Sequence, residues 1–237
     1  MRKNNRKNNE LRPIKFTKDF TKHALGSVLV EFGDTKVITT ASVDHKKPKW
    51  MEQDDNRGWV TAEYSLLPSA TNTRCSRERN KVSGRTHEIQ RLIGRSMRAC
   101  VDLTKMPDLT ITIDADVIQA DGGTRTASIC GGFLALKDAV DKLLKSGDLK
   151  ENPIIEPIAA ISIGLHGDEI LLDLDYEEDS HARVDSNVVL TASGKIVDFQ
   201  TTSEGEPYEK SQMDELFKIA SDGIQQIIKM YNWALNC

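Results

Sequence analysis

An α+β fold with mixed sheets is the fold class that this 237-residue sequence predicts. Short segments of alternating apolar and polar residues indicate strands. These strands follow one another in groups, whereas a doubly wound fold would alternate each strand with a helix. Three longer segments carry the apolar period of an amphipathic helix. Neither a Rossmann nor a P-loop glycine pattern occurs in the sequence, which argues against a doubly wound nucleotide fold and against nicotinamide or ATP chemistry.

The first part of the chain predicts a hairpin, another strand and a helix. Residues 27–32 and 35–43 alternate on either side of Gly33-Asp34, a turn typical of hairpins. A strand is expected at 59–64. Between residues 86 and 101 the apolar period becomes helical. The core face of this helix is predicted to consist of Ile89, Leu92, Ile93, Met97 and Cys100.

A second strand and helix follow. Residues 110–117 alternate as a strand, and after the turn at 121–123 a helical period continues until Ser146-Gly147 ends it. The inward positions of this helix are predicted to be Ile129, Phe133, Leu136, Val140 and Leu143.

The remainder predicts four strands and a last helix. The strands are expected at 158–165, 169–175, 187–192 and 195–201, separated by glycine-containing turns. The inner side of the amphipathic helix that follows is predicted to be Met213, Leu216, Phe217, Ala220, Ile224, Ile227 and Ile228.

These segments predict one domain spanning residues 1–237, with approximate halves 13–150 and 154–237. The basic arm at 1–12 is rich in asparagine and has no apolar run behind it, so it does not resemble a secretory signal. We therefore expect a cytoplasmic protein that does not contact a membrane.

Cysteine and histidine patterns argue against several chemistries. The five histidines stand in unrelated contexts without a Gly-x-Ser-x-Gly elbow, which argues against serine hydrolases. The four cysteines are scattered and lack paired metal-ligand spacing, so reduced thiols are expected rather than disulfides or zinc. They are Cys75, Cys100, Cys130 and Cys237.

The net charge of −4 conceals an uneven distribution. Residues 74–98 contain seven arginines and one lysine against two glutamates, a local charge of +6. Residues 166–187 contain eight acidic residues against one arginine, a local charge of −7. A basic and an acidic region together suit a polyanionic substrate with a metal ion beside it. Two solvated faces are the commoner origin of such runs, and the sequence alone leaves that alternative open.

Residues 119–128, QADGGTRTAS, join a strand to a helix and form a candidate anion site. Glycines let backbone N–H groups approach a ligand, and the helix N-terminus adds partial positive charge. Thr124 and Ser128 offer hydroxyl groups, and Arg125 can form a two-pronged contact with phosphate oxygens. A plain helix start with glycine in the turn explains the same residues equally well.

Ser83-Gly84-Arg85-Thr86 opens the arginine-rich helix, so two helix N-termini could converge on one anion. The alternative is that Arg85 is a surface residue paired with Glu88. On the outer face of this helix, the stripe of Arg91, Arg95 and Arg98 suits either an RNA backbone or an acidic face of another subunit.

Residues 173–180 form an acidic run that Asp185 follows at the mouth of a strand. Carboxylates crowded in this way repel one another unless a cation or arginine relieves them. Two carboxylates and a substrate phosphate would suffice to bind magnesium. For Asp173 and Asp175 the favoured interpretation is that they flank a solvent-facing strand edge.

Taken in order, several motifs that cover nearly the whole chain resemble those of the bacterial RNase PH family. They are GSVLV at 26–30, GDTKV at 33–37, GWVTAEY at 58–64, GRT at 84–86, EIQRLIGRS at 88–96, the 114–128 segment, LDLDYEED at 172–179, Asp185, Asn187 and Val188.

The resemblance implies a phosphorolytic 3′ to 5′ exoribonuclease with inorganic phosphate as co-substrate and magnesium as cofactor. It implies a single domain of two related βαβα-like halves, and a ring of six identical subunits built as a trimer of dimers. Its implied substrates are tRNA precursors and other RNAs with single-stranded 3′ ends, which it would shorten reversibly with release of nucleoside diphosphates.

Site roles also follow from the resemblance. Asp179 and Asp185 are expected to hold the metal and serve in acid catalysis. The expected phosphate-binding residues are Arg85, Gly123, Thr124 and Arg125. The expected RNA-binding residues are Arg74, Arg77, Arg91 and Arg95, of which Arg91 and Arg95 could instead serve contacts between subunits.

Two positions depart from the family pattern. Ser69 follows Leu67-Pro68 where an arginine is usual, which removes one expected RNA contact. Thr201 replaces the glycine of the usual Gln-Gly-Thr-Ala-Glu stretch and could alter the end of the sheet.

Overall fold

The computed structural model describes residue 2 and residues 5–52, 54–79 and 81–235, with side chains described as far as Tyr231. The strands are β1 (Ile14–Lys18), β2 (Gly26–Phe32), β3 (Thr35–Asp44), β4 (Trp59–Leu66), β5 (Thr110–Gln119), β6 (Ile158–His166), β7 (Glu169–Leu172), β8 (Val184–Thr191) and β9 (Ile196–Ser203). The helices are α1 (Gly84–Ala99), α2 (Thr124–Ser146), α3 (Tyr176–Ser180) and α4 (Lys210–Leu235).

The first sheet has the strand order β1-β2-β3-β5-β4. The predicted hairpin is confirmed, since β2 and β3 pair antiparallel around Gly33, whose φ of 56° suits glycine. β4 and β5 run parallel, so both strands end at the same edge of the sheet. This edge leads into the segments that begin α1 and α2.

The second sheet is antiparallel, with the order β7-β6-β8-β9. Strand β6 of this sheet contacts both α2 and α4. Helix α2 also packs on β2 and β3 of the first sheet. Helix α2 therefore lies between the two sheets, which explains why apolar residues occur nearly all around it. One continuous hydrophobic core results.

The α+β prediction is confirmed, with one mixed and one antiparallel sheet. The predicted core faces of α1 and α2 are buried, as are Leu216, Ala220, Ile224, Ile227 and Ile228 of α4. Strand β1 and the short helix α3 were not predicted, because segments of five residues are too short for a period to stand out.

The strand expected at 169–175 is wrong in its second part, since β7 ends at Leu172. Asp173 has a φ of 56°, a left-handed conformation that turns the chain out of the sheet. The departure at Thr201 does not interrupt β9. Instead the Thr201 hydroxyl accepts a hydrogen bond from Ser186 Oγ at 2.8 Å and contacts Tyr208 Oη at 2.7 Å.

In the part of the chain that the structure describes, Cys75, Cys100 and Cys130 are free thiols, and Cys237 lies outside it. Over the same residues, no helix combines the length and the apolar character needed to cross a bilayer.

Candidate active site

The N-terminus of α2 follows directly from the end of β5 through the glycine turn predicted as an anion site. Gly123 is the N-cap residue with a φ of 65°, and no side chain caps the helix within the described residues. The first backbone N–H groups of an α-helix have no partner inside the helix, so this end can receive an anion. Thr124 Oγ1 lies 2.9 Å from Tyr64 Oη of β4, which ties the loop to the first sheet.

Arg125 enters the site from the first turn of α2. Its Nη2 donates to Glu88 Oε2 at 3.0 Å, while its Nε is buried and has no hydrogen-bond partner among the described residues. Buried polar groups are normally satisfied, so an unpaired guanidinium nitrogen here is consistent with a ligand or water site. The same contact shows that the alternative pairing of Glu88 with Arg85 is wrong.

Arg85 is exposed in the first turn of α1, a helix that Ser83 caps by accepting a hydrogen bond from Thr86 N. Within the described ranges, no ion pair or hydrogen bond engages its guanidinium group. Its positive charge, together with that of Arg125, nevertheless acts on Tyr64 and on Asp179. Arg85 therefore lies at the same site with its hydrogen-bonding capacity unused.

Asp179 and Asp185 approach from α3 and the start of β8. The pKa of Asp179 is raised, first by desolvation from neighbouring atoms and then by the negative charge of Asp185. The residue is nevertheless exposed to solvent. Arg125 and Arg85 oppose this rise in pKa, and Glu204 adds to it. Charges influence one another in this way only over short distances, so the two carboxylates and the two arginines lie in the same region of the molecule.

The oxygen donors of this site fit magnesium. Two carboxylates held close together repel each other, and a divalent cation relieves that repulsion. Mg²⁺ is usually bound by one or two carboxylates, with water and substrate phosphate oxygens completing its shell. Among the described residues, no group of three or more His, Cys, Asp and Glu side chains is arranged to hold a metal. Asp179 and Asp185 therefore supply two carboxylates, and any further ligands would have to come from water or a bound phosphate.

The interpretation of Asp173 and Asp175 as a solvent-facing edge is wrong. Asp173 is fully buried, forms an ion pair with Arg12 at 2.7 Å and lies 3.6 Å from Arg6 Nη1. Asp175 is also buried and caps α3 by accepting a hydrogen bond from Glu178 N. Neither burial could be read from the sequence, because the partner arginines of Asp173 are about 160 residues away in the chain.

Arginines of the basic arm neutralise much of the acidic run. Arg2 Nε donates to Glu178 Oε1 at 2.6 Å, and Arg6 Nη2 donates to Glu178 Oε2 at 3.0 Å. Together with the Arg12 pair, these contacts supply the cations that crowded carboxylates require. Asp179 and Asp185 form no such ion pair within the part of the chain that the structure describes.

The candidate RNA-binding arginines are all exposed. Arg74 and Arg77 are exposed in the segment between β4 and α1. Arg91 and Arg95 are exposed on α1, where Arg95 also forms a 3.1 Å ion pair with Asp198 of β9. Arg98, the third member of the stripe, instead lies over the Trp59 ring at 4.4 Å and donates to the Val60 carbonyl oxygen.

Sequence reasoning missed three residues that shape the site. Tyr64 contacts Thr124, Glu88 orients Arg125, and Arg12 donates to both Asp173 and the Asp121 carbonyl oxygen. For Tyr64 a signal existed, since it ends the 58–64 motif, but the motif does not say which residue it contacts. Glu88 begins the 88–96 motif, but the sequence paired it with Arg85 rather than Arg125. Arg12 carried no signal because its partners come from other elements.

Comparison with known proteins gives the family and supports the fold. Residues 10–140 match domain 1 of the 3′ exoribonuclease family, and residues 156–223 match its domain 2. The RNA-bound exosome of Archaeoglobus fulgidus is similar in structure, with a TM-score of 0.83 and 22% identity over 97% of this chain and 92% of that one.

Two further solved structures share the fold. An archaeal exosome core has a TM-score of 0.78 and 20% identity over 96% of this chain and 89% of that one. Rice (Oryza sativa) Rrp46 has a TM-score of 0.75 and 19% identity over 96% of this chain and 98% of that one. Because both family domains are matched in order and together cover most of the chain, the protein belongs to the 3′ exoribonuclease family of RNase PH domains.

Proposed function

We propose that the protein is a phosphate-dependent 3′ to 5′ exoribonuclease, similar to bacterial RNase PH, that releases nucleoside diphosphates. The observation that supports this proposal is that the charges of Arg85 and of Arg125, beside the uncapped N-terminus of α2, act on Asp179 together with the charge of Asp185. Basic groups suited to a small anion thus lie beside carboxylates suited to a metal ion.

In the proposed reaction, Arg85, Arg125 and the 123–124 backbone hold inorganic phosphate in line with the terminal phosphodiester of RNA. A phosphate oxygen forms a bond to the phosphorus of the last nucleotide, and the bond from that phosphorus to the preceding 3′ oxygen breaks. Asp185, or a water molecule that it orients, would give a proton to this leaving oxygen. Positioning and charge neutralisation account for most of the rate enhancement in phosphoryl transfer.

Asp179 and Asp185 would hold magnesium, which when bound neutralises negative charge that develops on the phosphoryl oxygens. Because phosphate replaces water as the nucleophile, the reaction loses little free energy, and synthesis from nucleoside diphosphates should also occur. A narrow site of this kind accepts single-stranded 3′ ends, such as the trailing ends of tRNA precursors, since a stem would first have to melt.

The proposed assembly is a ring of six identical subunits. Two of the similar structures are exosome assemblies, one with RNA at its active site, which favours a ring and an RNA partner for this chain as well. They also suggest an alternative, in which this chain alternates with a related but different subunit. The native mass of the purified chain distinguishes the two, since only the first gives a hexamer without a partner.

The central experiment incubates the protein and magnesium with a tRNA that carries a 3′ extension, with and without phosphate. Nucleoside diphosphates that form only with phosphate support the proposal. Monophosphates would instead identify a hydrolytic nuclease. Binding of RNA without any product would identify a catalytically silent ring subunit.

Two variants test the residue assignments. Arg85→Ala should raise the KM for phosphate far more than the Kd for RNA, because its guanidinium is proposed to contact only the anion. The exposed Arg57, which pairs with Asp55 near the start of β4, provides the control Arg57→Ala. Unchanged phosphate dependence in Arg85→Ala would exclude that residue from the phosphate site.

Asp185→Asn should lower kcat by at least about 100-fold while RNA remains bound in a gel shift, since the proposed proton donor and metal ligand is removed. Asp168→Asn, in the exposed turn between β6 and β7, is the matched control. An active Asp185→Asn variant would exclude this carboxylate from the mechanism.

A further inference from the structure

The two halves of the proposed site meet along their backbones. Gly122, with a φ of 73°, lies so close to the acidic segment 173–179 that an added Cβ would be 2.5 Å from the Leu174 carbonyl oxygen. Tyr176 N donates to Asp121 Oδ1 at 3.3 Å across the same contact. The anion loop 121–125 and the acidic segment are therefore direct neighbours, although about 50 residues separate them in the chain.

One side chain holds both of these segments. Arg12 Nη1 donates to the Asp121 carbonyl oxygen at 2.5 Å, and Arg12 Nη2 donates to Asp173 Oδ1 at 2.7 Å. The backbone N–H of Arg12 donates to the other oxygen of the same carboxylate at 2.8 Å. A Cβ added to Gly123 would be 3.0 Å from Arg12 Nη2, so the guanidinium group lies directly against the N-cap residue of α2.

This contact is buried and charged. Arg12 is 7% exposed and Asp173 is 0% exposed. Burial acts to lower the pKa of Arg12, but the charge of Asp173 and the hydrogen bond to it raise the pKa above its ordinary value, so the guanidinium keeps its charge. Breaking one partner of such a buried pair is costly, because the other charge is left without compensation.

The shape of the guanidinium group matters as well as its charge. Its two terminal nitrogens point in fixed directions, so it can donate to the loop and to the acidic segment at once. A lysine would keep the charge beside Asp173, but a single nitrogen on a flexible stem holds two separate acceptors less rigidly. The two segments also have other anchors, since Leu174 N donates to Ser162 Oγ and Thr35 Oγ1 donates to the Gly122 carbonyl oxygen.

We propose that Arg12 is a positioning residue that fixes the anion loop relative to the acidic segment, and so sets the distance between bound phosphate and the carboxylate pair. The inference rests on the proposed function for its effect on catalysis. The mechanical link between the two segments stands independently of that function.

The first test measures kinetics of Arg12→Lys with phosphate and with RNA varied separately. We expect kcat/KM for phosphate to fall on the order of 10- to 100-fold, as for other displacements of about 1 Å in an active site, with the KM for RNA unchanged. Asp138→Asn is the control, since it removes the 2.9 Å partner of Lys18 and so breaks a largely buried ion pair in the later turns of α2. Equal effects of the two variants on both substrates would reduce Arg12 to a purely structural role and overturn the proposal.

The second test uses backbone hydrogen exchange and does not depend on activity. In the unmodified protein, added sodium phosphate should slow exchange both in residues 121–128 and in residues 173–179, whereas in Arg12→Lys protection should be confined to the loop. Protection restricted to the loop in the unmodified protein would overturn the proposal, even if the variant fails to fold.

The two tests separate failure of the inference from failure of the proposed function. If the unmodified protein neither degrades RNA with phosphate nor responds to phosphate in exchange, the proposed function fails. In that case the inference is tested only by the rate of hydrogen exchange without phosphate. Faster exchange of both segments in Arg12→Lys than in Asp138→Asn supports it, and equal exchange refutes it.

Discussion

Single residues decide whether the two parts of this site can approach each other. Gly122 and Gly123 both have positive φ angles, and each would place a Cβ against a neighbouring segment if it were substituted. Arg125 has a buried nitrogen without a partner among the described residues. Such features cost stability unless a ligand or a close contact uses them. At this scale, glycine and arginine act through geometry that other residue types do not provide.

Gly122→Ala separates the cost of backbone strain from the cost of a lost contact. An alanine at a φ of 73° is strained, and its Cβ would also clash with the Leu174 carbonyl oxygen. Gly147, at the end of α2, has a φ of 88° but open space around a Cβ, so Gly147→Ala carries only the strain. We expect Gly147→Ala to cost about 1 kcal/mol of unfolding free energy and Gly122→Ala clearly more, with loss of phosphate-dependent turnover. Denaturant unfolding measures both, and equal costs would contradict the close approach.

Among the elements, strands β4 and β5 illustrate a conflict between charge and register. Glu63 stands directly opposite Asp114 in this parallel pair, and Asp116 follows on the same face. The pKa of Asp114 is raised, first by burial and then by the charges of Glu63 and Asp116. Like charges placed opposite each other in a sheet are destabilising. The fold therefore keeps a carboxylate here at some cost in stability.

Replacing Asp114 with Asn should stabilise the protein by roughly 0.2–1 kcal/mol at neutral pH, because it removes a charge that burial and the opposite Glu63 both disfavour. Since the folded-state pKa of Asp114 is raised, the native state binds this proton more readily than the unfolded state. The contribution of Asp114 to stability is thus most favourable below the unfolded pKa and is lost as pH rises through the folded pKa. Thermal unfolding of both proteins between acid and neutral pH checks this.

The gain from Asp114→Asn should therefore grow as the pH rises. Asp44, an exposed residue at the end of β3, supplies the control Asp44→Asn, for which we expect no gain because its close neighbour is Lys46. A difference in stability that is constant with pH would show that the charge of Asp114 is not its origin.

At the scale of the whole molecule, the two sheets share one continuous hydrophobic core because α2 packs between them. Cys100 and Cys130 lie inside it, and burial raises the pKa of Cys100 to about 12 and that of Cys130 to about 11. Cys75 is partly exposed in the segment before α1. A thiol reacts as the thiolate and must be accessible, so both buried cysteines should be protected in the native state.

Labelling with iodoacetamide, followed by peptide mass spectrometry, should modify Cys75 readily and Cys100 and Cys130 at least about 1,000-fold more slowly. Exposure of the two core thiols requires an opening that costs most of the free energy of unfolding. Addition of denaturant should accelerate both buried sites together. Rapid labelling of one core thiol without the other would show that the two sheets open independently.

The amino-acid sequence by itself determined most of the elements and supplied the hypothesis for the residues of the site. Periodic segments such as 86–101 and 110–117 correspond to α1 and β5 within a few residues, because a buried face repeats along one element and can be read locally. Motif resemblance then selected Arg85, Arg125, Asp179 and Asp185, and the charges of the other three act on Asp179 in the folded protein. Their individual chemical roles stay predictions until the variants are measured.

Only the tertiary structure decided which charges neutralise each other. Asp173 belongs to an ion pair with Arg12 rather than to an exposed edge, and Glu88 pairs with Arg125 rather than with Arg85. Periodicity reports whether a residue faces the core, but it carries no information about a partner on a distant segment. Charge pairing depends on distances between elements, and these distances are set when the two sheets close around α2.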